Sequence, residues 1–294
     1  MRSRPFLAAL LAGLASSCTT SRSAAPAAPG AERVTLVPGT AGKLRVSDGG
    51  SGEPAVVLVH GLGGDLEAWR FQLDHLRASH RAVAYDQRGH GASDRPRDGV
   101  YTVDALAQDL DLLVRVLGLR RFVLVGHSLA GTVLTAYAGA HPEAVAGLVY
   151  VDGIGDFAAI PRENLLAISA EETSPLFGAA QVTASFEEML GPHARPATRQ
   201  RVVAAAQRLD PAAFGQLRRS MFDFRGKERF EPYRGPATAI EVAEADRTVL
   251  ASKVLGLPRT GVTGVSHWLM LDDPAAVNAA LDAFLAGLPS APGR

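Results

Sequence analysis

The chain of 294 residues contains a single cysteine, Cys18, so no disulfide can form within it and a disulfide-stapled fold is excluded. It also lacks net charge: thirty acids balance thirty bases, and only Lys43, Lys227 and Lys253 among those bases are lysine. The bases do not cluster, so the electrostatic footprint of a nucleic-acid binder is missing and neither DNA nor RNA is expected as a partner. Its eight histidines have no metal-ligand spacing, and no metal or organic cofactor is expected. What is present is length and apolar content. Hydrophobic residues make up 47% of the chain, enough for one large α/β domain with a sizeable core.

The first thirty residues differ in character. Arg2 and Arg4 precede an apolar run from Phe6 to Leu14, and the small residues Ala15, Ser16 and Ser17 stand just before Cys18. This is the pattern of an export signal, too short for a bilayer-spanning helix of about 20 residues. Leu14 to Cys18 resembles a bacterial lipobox, with Ala15 rather than a large aliphatic residue three before the cysteine. The resemblance implies lipidation of Cys18, and an ordinary secretory signal cut nearby is the alternative. Residues 1–18 are thus expected as signal and lipobox and 19–32, rich in Ser, Ala and Pro, as a flexible tether. The expected location is exported, with the membrane touched only through the lipid at Cys18.

From Arg33 short β-rich runs alternate with longer helical ones, which predicts a mostly parallel sheet with helices on both faces. Strands are expected at 34–37, 43–47, 55–60, 81–86, 122–126, 145–152, 237–243 and 254–262, eight in all. Helical periodicity marks 66–76, 103–117, 129–141 and 274–288. Between Gly153 and Gly235 the alternation stops, and a strandless stretch containing Phe177, Phe186, Met189, Phe214, Met221, Phe222 and Phe224 reads as a helical cap. The expected division is therefore a core of 33–153 and 236–290 and a cap of 154–235.

The stretch Leu124-Val-Gly-His-Ser-Leu-Ala-Gly131 passes from a buried strand to an apolar helix through a serine, with no room for a loop. A hydroxyl is a weak nucleophile, and a tight strand-to-helix turn holds it where a base and a substrate can both reach it. Such a turn strains the serine backbone and needs small residues two before and two after, here Gly126 and Ala130. The amide of Leu129, at the helix start, then points to where an oxyanion would form.

These features make the nucleophile elbow of the α/β-hydrolase fold, and residues 33–290 resemble a capped member of its esterase, lactonase and haloperoxidase-like group. The motif departs from G-x-S-x-G in having Ala130. His60-Gly-Leu-Gly-Gly64 follows the third strand, where the resemblance implies a second oxyanion donor at the amide of Leu62. A dinucleotide fingerprint is excluded there, because Leu66 occupies the position of its last glycine. Asp86-Gln-Arg-Gly-His-Gly-Ala-Ser93 matches the family's D-x-R-G-x-G-x-S loop, with Asp86 and Arg88 pinning it and His90 structural.

The fold's chain order of Ser, acid and His leads to His267, in Gly264-Val-Ser-His-Trp268. This resembles the family signature G-x-x-H-x-x-x-x-(D/E)-x-P, which Asp272 or Asp273 and Pro274 complete. An imidazole suits a base working near neutral pH. Asp246, after the seventh strand, is expected as the acid that orients His267, with Asp152 at the end of the sixth strand as its rival and Glu244 behind both. The resemblance implies hydrolysis of a carboxylic ester or related acyl bond by Ser128, Asp246 and His267. The aromatic and Met residues of the cap suggest a small, apolar substrate. A cofactor-free perhydrolase and a ligand-binding protein of low turnover are the competing readings.

Overall fold

The computed structural model describes residues 31–245 and 247–289, so Asp246, Cys18 and the whole expected signal segment lie outside the described residues. An eight-stranded sheet runs in the order β1-β2-β4-β3-β5-β6-β7-β8. Its members are β1 (Arg33–Pro38), β2 (Lys43–Gly49), β3 (Ala55–Val59), β4 (Ala82–Tyr85), β5 (Phe122–His127), β6 (Val145–Val151), β7 (Ala237–Val242) and β8 (Arg259–Val262). The β1–β2 and β2–β4 pairs are antiparallel and the rest are parallel.

The residue patterns explain this arrangement. Every residue of β3, β4, β5 and β6 is buried, as the unbroken apolar runs of a sheet covered on both faces require. The edge strand β1 is exposed at all but Val37. Helices α1 (Arg70–Leu76), α2 (Val103–Val116), α3 (Ala130–Ala140) and α11 (Pro274–Ala286) flank the sheet, α2 packing on α3 and α1 on α11. In α2 the residues Val103, Leu106, Leu110, Leu113 and Val114 form one buried stripe, and Thr102 caps its N-terminus by accepting the Ala105 amide at 3.2 Å. α3 is buried from Ala130 to Ala138, since α2, α8 (Gly226–Phe230) and the sheet cover it.

Between β6 and β7 lie α4 (Arg162–Glu172), α5 (Ala179–Leu190), α6 (Pro196–Ala206), α7 (Pro211–Phe222) and α8, with no strand among them. α4 packs on α7 and α5 on both α6 and α7. The aromatic seam of this insertion pairs Phe177 with Phe214 at 5.5 Å between ring centroids and Phe186 with Trp268 at 6.1 Å, which ties the insertion to the core loop after β8.

The stretch expected as a single strand over 254–262 is divided. Its first residues belong to α9 (Ala251–Leu255), Gly256 ends that helix in the left-handed conformation at φ +67°, and only Arg259–Val262 pairs with β7. A short apolar run does not by itself distinguish a buried helical turn from a strand.

Strands β3 and β5 are neighbours although β4 lies between them in the chain, and β4 pairs on the far side of β3, so the strand order reverses between β3 and β5. In open α/β sheets the crevice beyond the carboxyl ends of the strands at such a reversal is the usual ligand site. The chain following β3 begins His60-Gly61-Leu62, and the chain following β5 begins Ser128-Leu129.

Candidate active site

Strand β5 ends at His127 and α3 starts at Ala130, which leaves Ser128 and Leu129 to make the reversal. Ser128 adopts φ +55°, a left-handed conformation that costs a non-glycine residue about 1 kcal/mol or more. The surrounding backbone holds it there. The Ser128 amide donates to the Val151 carbonyl at 3.3 Å, and its carbonyl accepts from the amides of Gly131 and Ile154, each at 2.9 Å.

Close approach explains the small residues. A Cβ on Gly126 would lie 2.7 Å from Leu134 Cδ1 and 3.1 Å from the Ala130 Cβ. The extra methyl of Ala130 is accommodated because its neighbour across the turn has no side chain. A Cβ on Gly61 would meet the His127 ring at 2.8 Å and the Ser128 Cβ at 3.0 Å, so the loop after β3 runs directly against the serine. Among the described residues the amides of Leu62 and Leu129 have no intramolecular acceptor.

His267 stands in the loop between β8 and α10 (Leu269–Asp272). Its Nδ1–H donates to Asp152 Oδ2 at 2.6 Å. That bond sets the tautomer and leaves Nε2 as the proton acceptor. Asp152 is buried just past the end of β6, at φ +45°. It also accepts from the Val242 amide at 3.4 Å and pairs with the guanidinium of Arg247. Burial alone would raise its carboxyl, but the hydrogen bond and charge of His267, joined by Arg247, hold it down at about 2. The carboxylate on the imidazole is thus Asp152, the rival to Asp246 in the sequence.

Neighbouring residues immobilise the base. The His127 Nε2–H donates to the His267 carbonyl at 2.9 Å, and the two rings lie 4.5 Å apart. Asp272 accepts from the Ser266 amide at 2.8 Å with one oxygen and from the Arg195 amide at 2.9 Å with the other, clamping the His267 loop to the insertion. Asp273 caps α11 through the Ala276 amide at 3.0 Å. The carboxylates around Pro274 therefore serve the loop and the helix and leave the imidazole to Asp152.

The loop after β4 is a brace. Asp86 accepts from the Leu66 and Ala92 amides, both at 2.7 Å, and Arg88 reaches Asp109 at 2.6 Å, Thr40 Oγ1 at 2.6 Å and the carbonyls of Val100 and Ala105. His90 is buried beside it with Nδ1 on the Arg88 carbonyl at 2.9 Å, and burial pushes its imidazole down to about 3.

Leu62, Ser128 and His267 line one cavity of about 170 Å³, together with Ile154, Phe157, Phe186, Met189, Met221, Val249 and Trp268. Its wall is apolar apart from Ser128, His267, His127, Arg218 and Arg247. Those two arginines were not singled out from the sequence, where nothing distinguishes them from the other arginines. A wider groove of about 550 Å³ lies at the opposite, amino ends of the strands, lined by Pro54, Arg81, Leu119 and Ala146 among others, and neither Ser128 nor His267 borders it. Chemistry rather than size marks the smaller cavity as the candidate site.

Residues 54–195 match the family described as the alpha/beta hydrolase fold. Over 108 residues, 36% of this chain, the sequence is 40% identical to epoxide hydrolase 3 of Xenopus tropicalis. The matched stretch spans 26–42% of the length of the curated relatives, and 29% of that one. A hydrolase from Pseudomonas aeruginosa superimposes with a TM-score of 0.73 over 87% of this chain and 99% of its own, at 22% identity. A thermophilic esterase from Thermogutta terrifontis does so with a TM-score of 0.70 over 86% and 98%, at 23% identity. Sheet order, elbow and these likenesses together define the α/β-hydrolase fold for this chain.

Proposed function

We propose that the protein is a hydrolase that cleaves a carboxylic ester or related acyl bond of a small substrate, with Ser128 as nucleophile, His267 as base and Asp152 as the orienting acid. The observation that carries this reading is the 2.6 Å hydrogen bond between His267 Nδ1 and Asp152, where His267 lines the cavity that Ser128, at φ +55°, also lines. The hydrolase and esterase names of similar proteins support it.

In this mechanism Ser128 Oγ attacks the carbonyl carbon as His267 Nε2 takes its proton, and Asp152 stabilises the imidazolium that forms. The amides of Leu62 and Leu129 hold the oxyanion, each such donor contributing about 3 to 4 kcal/mol to the transition state. His267 returns the proton to the departing alcohol. Water, deprotonated by the same imidazole, then attacks the acyl-serine, and the acid leaves. The apolar wall from Phe157, Phe186, Met189 and Trp268 suits a short apolar body on the substrate.

A fluorophosphonate tests the nucleophile: wild type is labelled at Ser128 and Ser128→Ala is not. Equal labelling of both proteins removes the reading. Ser128→Ala is also expected to lower kcat by about 10⁶ with an ester substrate.

We also propose export and lipidation at Cys18, on the strength of the Arg2 to Cys18 pattern. Among the described residues no helix is long and apolar enough to cross a membrane. Mass spectrometry of the mature N-terminus should find a diacylglyceryl adduct on Cys18, and an unmodified terminus elsewhere refutes it.

A further inference from the structure

We propose that the substrate carries a carboxylate, which Arg218 on α7 binds while the scissile carbonyl sits at Ser128. This rests on the hydrolase reading above and names its substrate class: a short ester or lactone with a free acid group.

The cavity wall is mostly apolar, yet two arginines line it. Arg247 is already engaged by Asp152. Arg218 is paired with Glu172 through Nε alone. It stands four residues from both Phe214 and Phe222 on the same helix, with its guanidinium carbon 5.6 Å and 5.1 Å from their ring centroids, so its head is held against a rigid aromatic platform.

Its one charge partner satisfies it poorly. Arg218 Nε lies 2.8 Å from Glu172 Oε1, an ion pair that engages one edge of the guanidinium, and the buried Glu172 Oε2 accepts no hydrogen bond. No hydrogen bond from the guanidinium to another described residue completes the set. Burial raises the Glu172 carboxyl above its ordinary range, against the pull of Arg218. A partly buried guanidinium with unused N–H groups is costly unless an acceptor meets it. Its planar fork matches a carboxylate bidentately.

Size sharpens the class. At about 170 Å³ the cavity is smaller than the ~300–1,000 Å³ of sites for drug-sized ligands. A half-ester of a short dicarboxylic acid fits this description, with the methylenes on Phe186 and Met189 and the acid at Arg218.

The test compares monomethyl succinate with methyl pentanoate, of nearly equal length, following methanol release. Wild type is expected to favour the charged ester in kcat/KM by about tenfold or more, and Arg218→Met to lose that ratio. Because the ratio is taken within one protein, a general loss of folding cancels. Calorimetric titration of Ser128→Ala with the same two esters reads the subsite without turnover: the charged ester binds more tightly, and adding Arg218→Met abolishes the difference. A ratio near one in wild type, or one that survives Arg218→Met, overturns the proposal. Selective binding by Ser128→Ala without turnover by wild type would instead overturn the hydrolase reading and leave the carboxylate subsite standing.

Discussion

Two buried histidines at the same rim of the sheet, His90 and His267, differ in what meets each imidazole. Both carry a hydrogen bond at Nδ1, and both lie near a second histidine ring, His60 at 5.1 Å from His90 and His127 at 4.5 Å from His267. His90 gives its Nδ1 to a backbone carbonyl, and its buried Nε2 has no partner. His267 gives its Nδ1 to a buried carboxylate and borders the cavity that Ser128 also borders. A carbonyl orients a ring but does not stabilise its cation as a carboxylate does. The difference lies in the partner and in access to the cavity, and the residue type is the same.

The largest expected effect breaks this contrast directly. His267→Ala should lower kcat on an ester by about 10⁴ to 10⁶, whereas His90→Ala should keep kcat within about tenfold and lower stability by about 1 to 3 kcal/mol. Steady-state kinetics and urea unfolding of the two variants check it, and a collapse of kcat in His90→Ala would erase the distinction.

Next in size is the carboxylate. Asp152→Asn should cost about 10⁴ in kcat with little change in KM, because the imidazole loses both its tautomer and its counter-charge. Asp246→Asn should stay within about tenfold of wild type in the same assay. The opposite ranking would transfer the orienting role to Asp246.

The smallest effect is on stability in acid. Burial lowers the imidazoles of His60, His90 and His127 below their ordinary value of 6.5, His90 to about 3. The unfolded chain therefore binds protons at these positions that the folded chain refuses, and stability falls as pH drops from 6.5 towards 3. Asp152 adds a later loss. Its carboxyl, held at about 2, contributes fully above its ordinary value of 3.8 and stops contributing as pH falls through 2. Thermal unfolding between pH 7 and pH 3 should show the decline, and His90→Gln should flatten it. A flat profile in the wild type would mean that these rings titrate as freely as exposed ones.

Much of the core was legible because it is written in local pattern. The unbroken apolar runs of β3 to β6 and the passage from Gly126 through Ser128 into α3 need no distant information. The eighth strand is shorter than expected because Val254 and Leu255, apolar enough for a strand, close α9, and only pairing with β7 separates the two. The role of Asp272 was also hidden: the signature around Pro274 was visible, but not that its carboxylate spans from Ser266 to Arg195.

The amino-acid order by itself determined the alternation of elements, the strained serine turn and the imidazole near the end of the chain, since each follows from side-chain size, backbone sterics and periodicity within a few residues. Tertiary structure alone decided which acid meets His267 and which arginines line the cavity. Asp152 and Asp246 both follow strands of the same sheet, and spacing along a chain does not measure the 2.6 Å that joins Asp152 to the ring. Arg218 became distinctive only once α7 set it between two phenylalanines and in the wall of the cavity that Ser128 also lines, because a charge acts on what surrounds it in space and not on its neighbours in sequence.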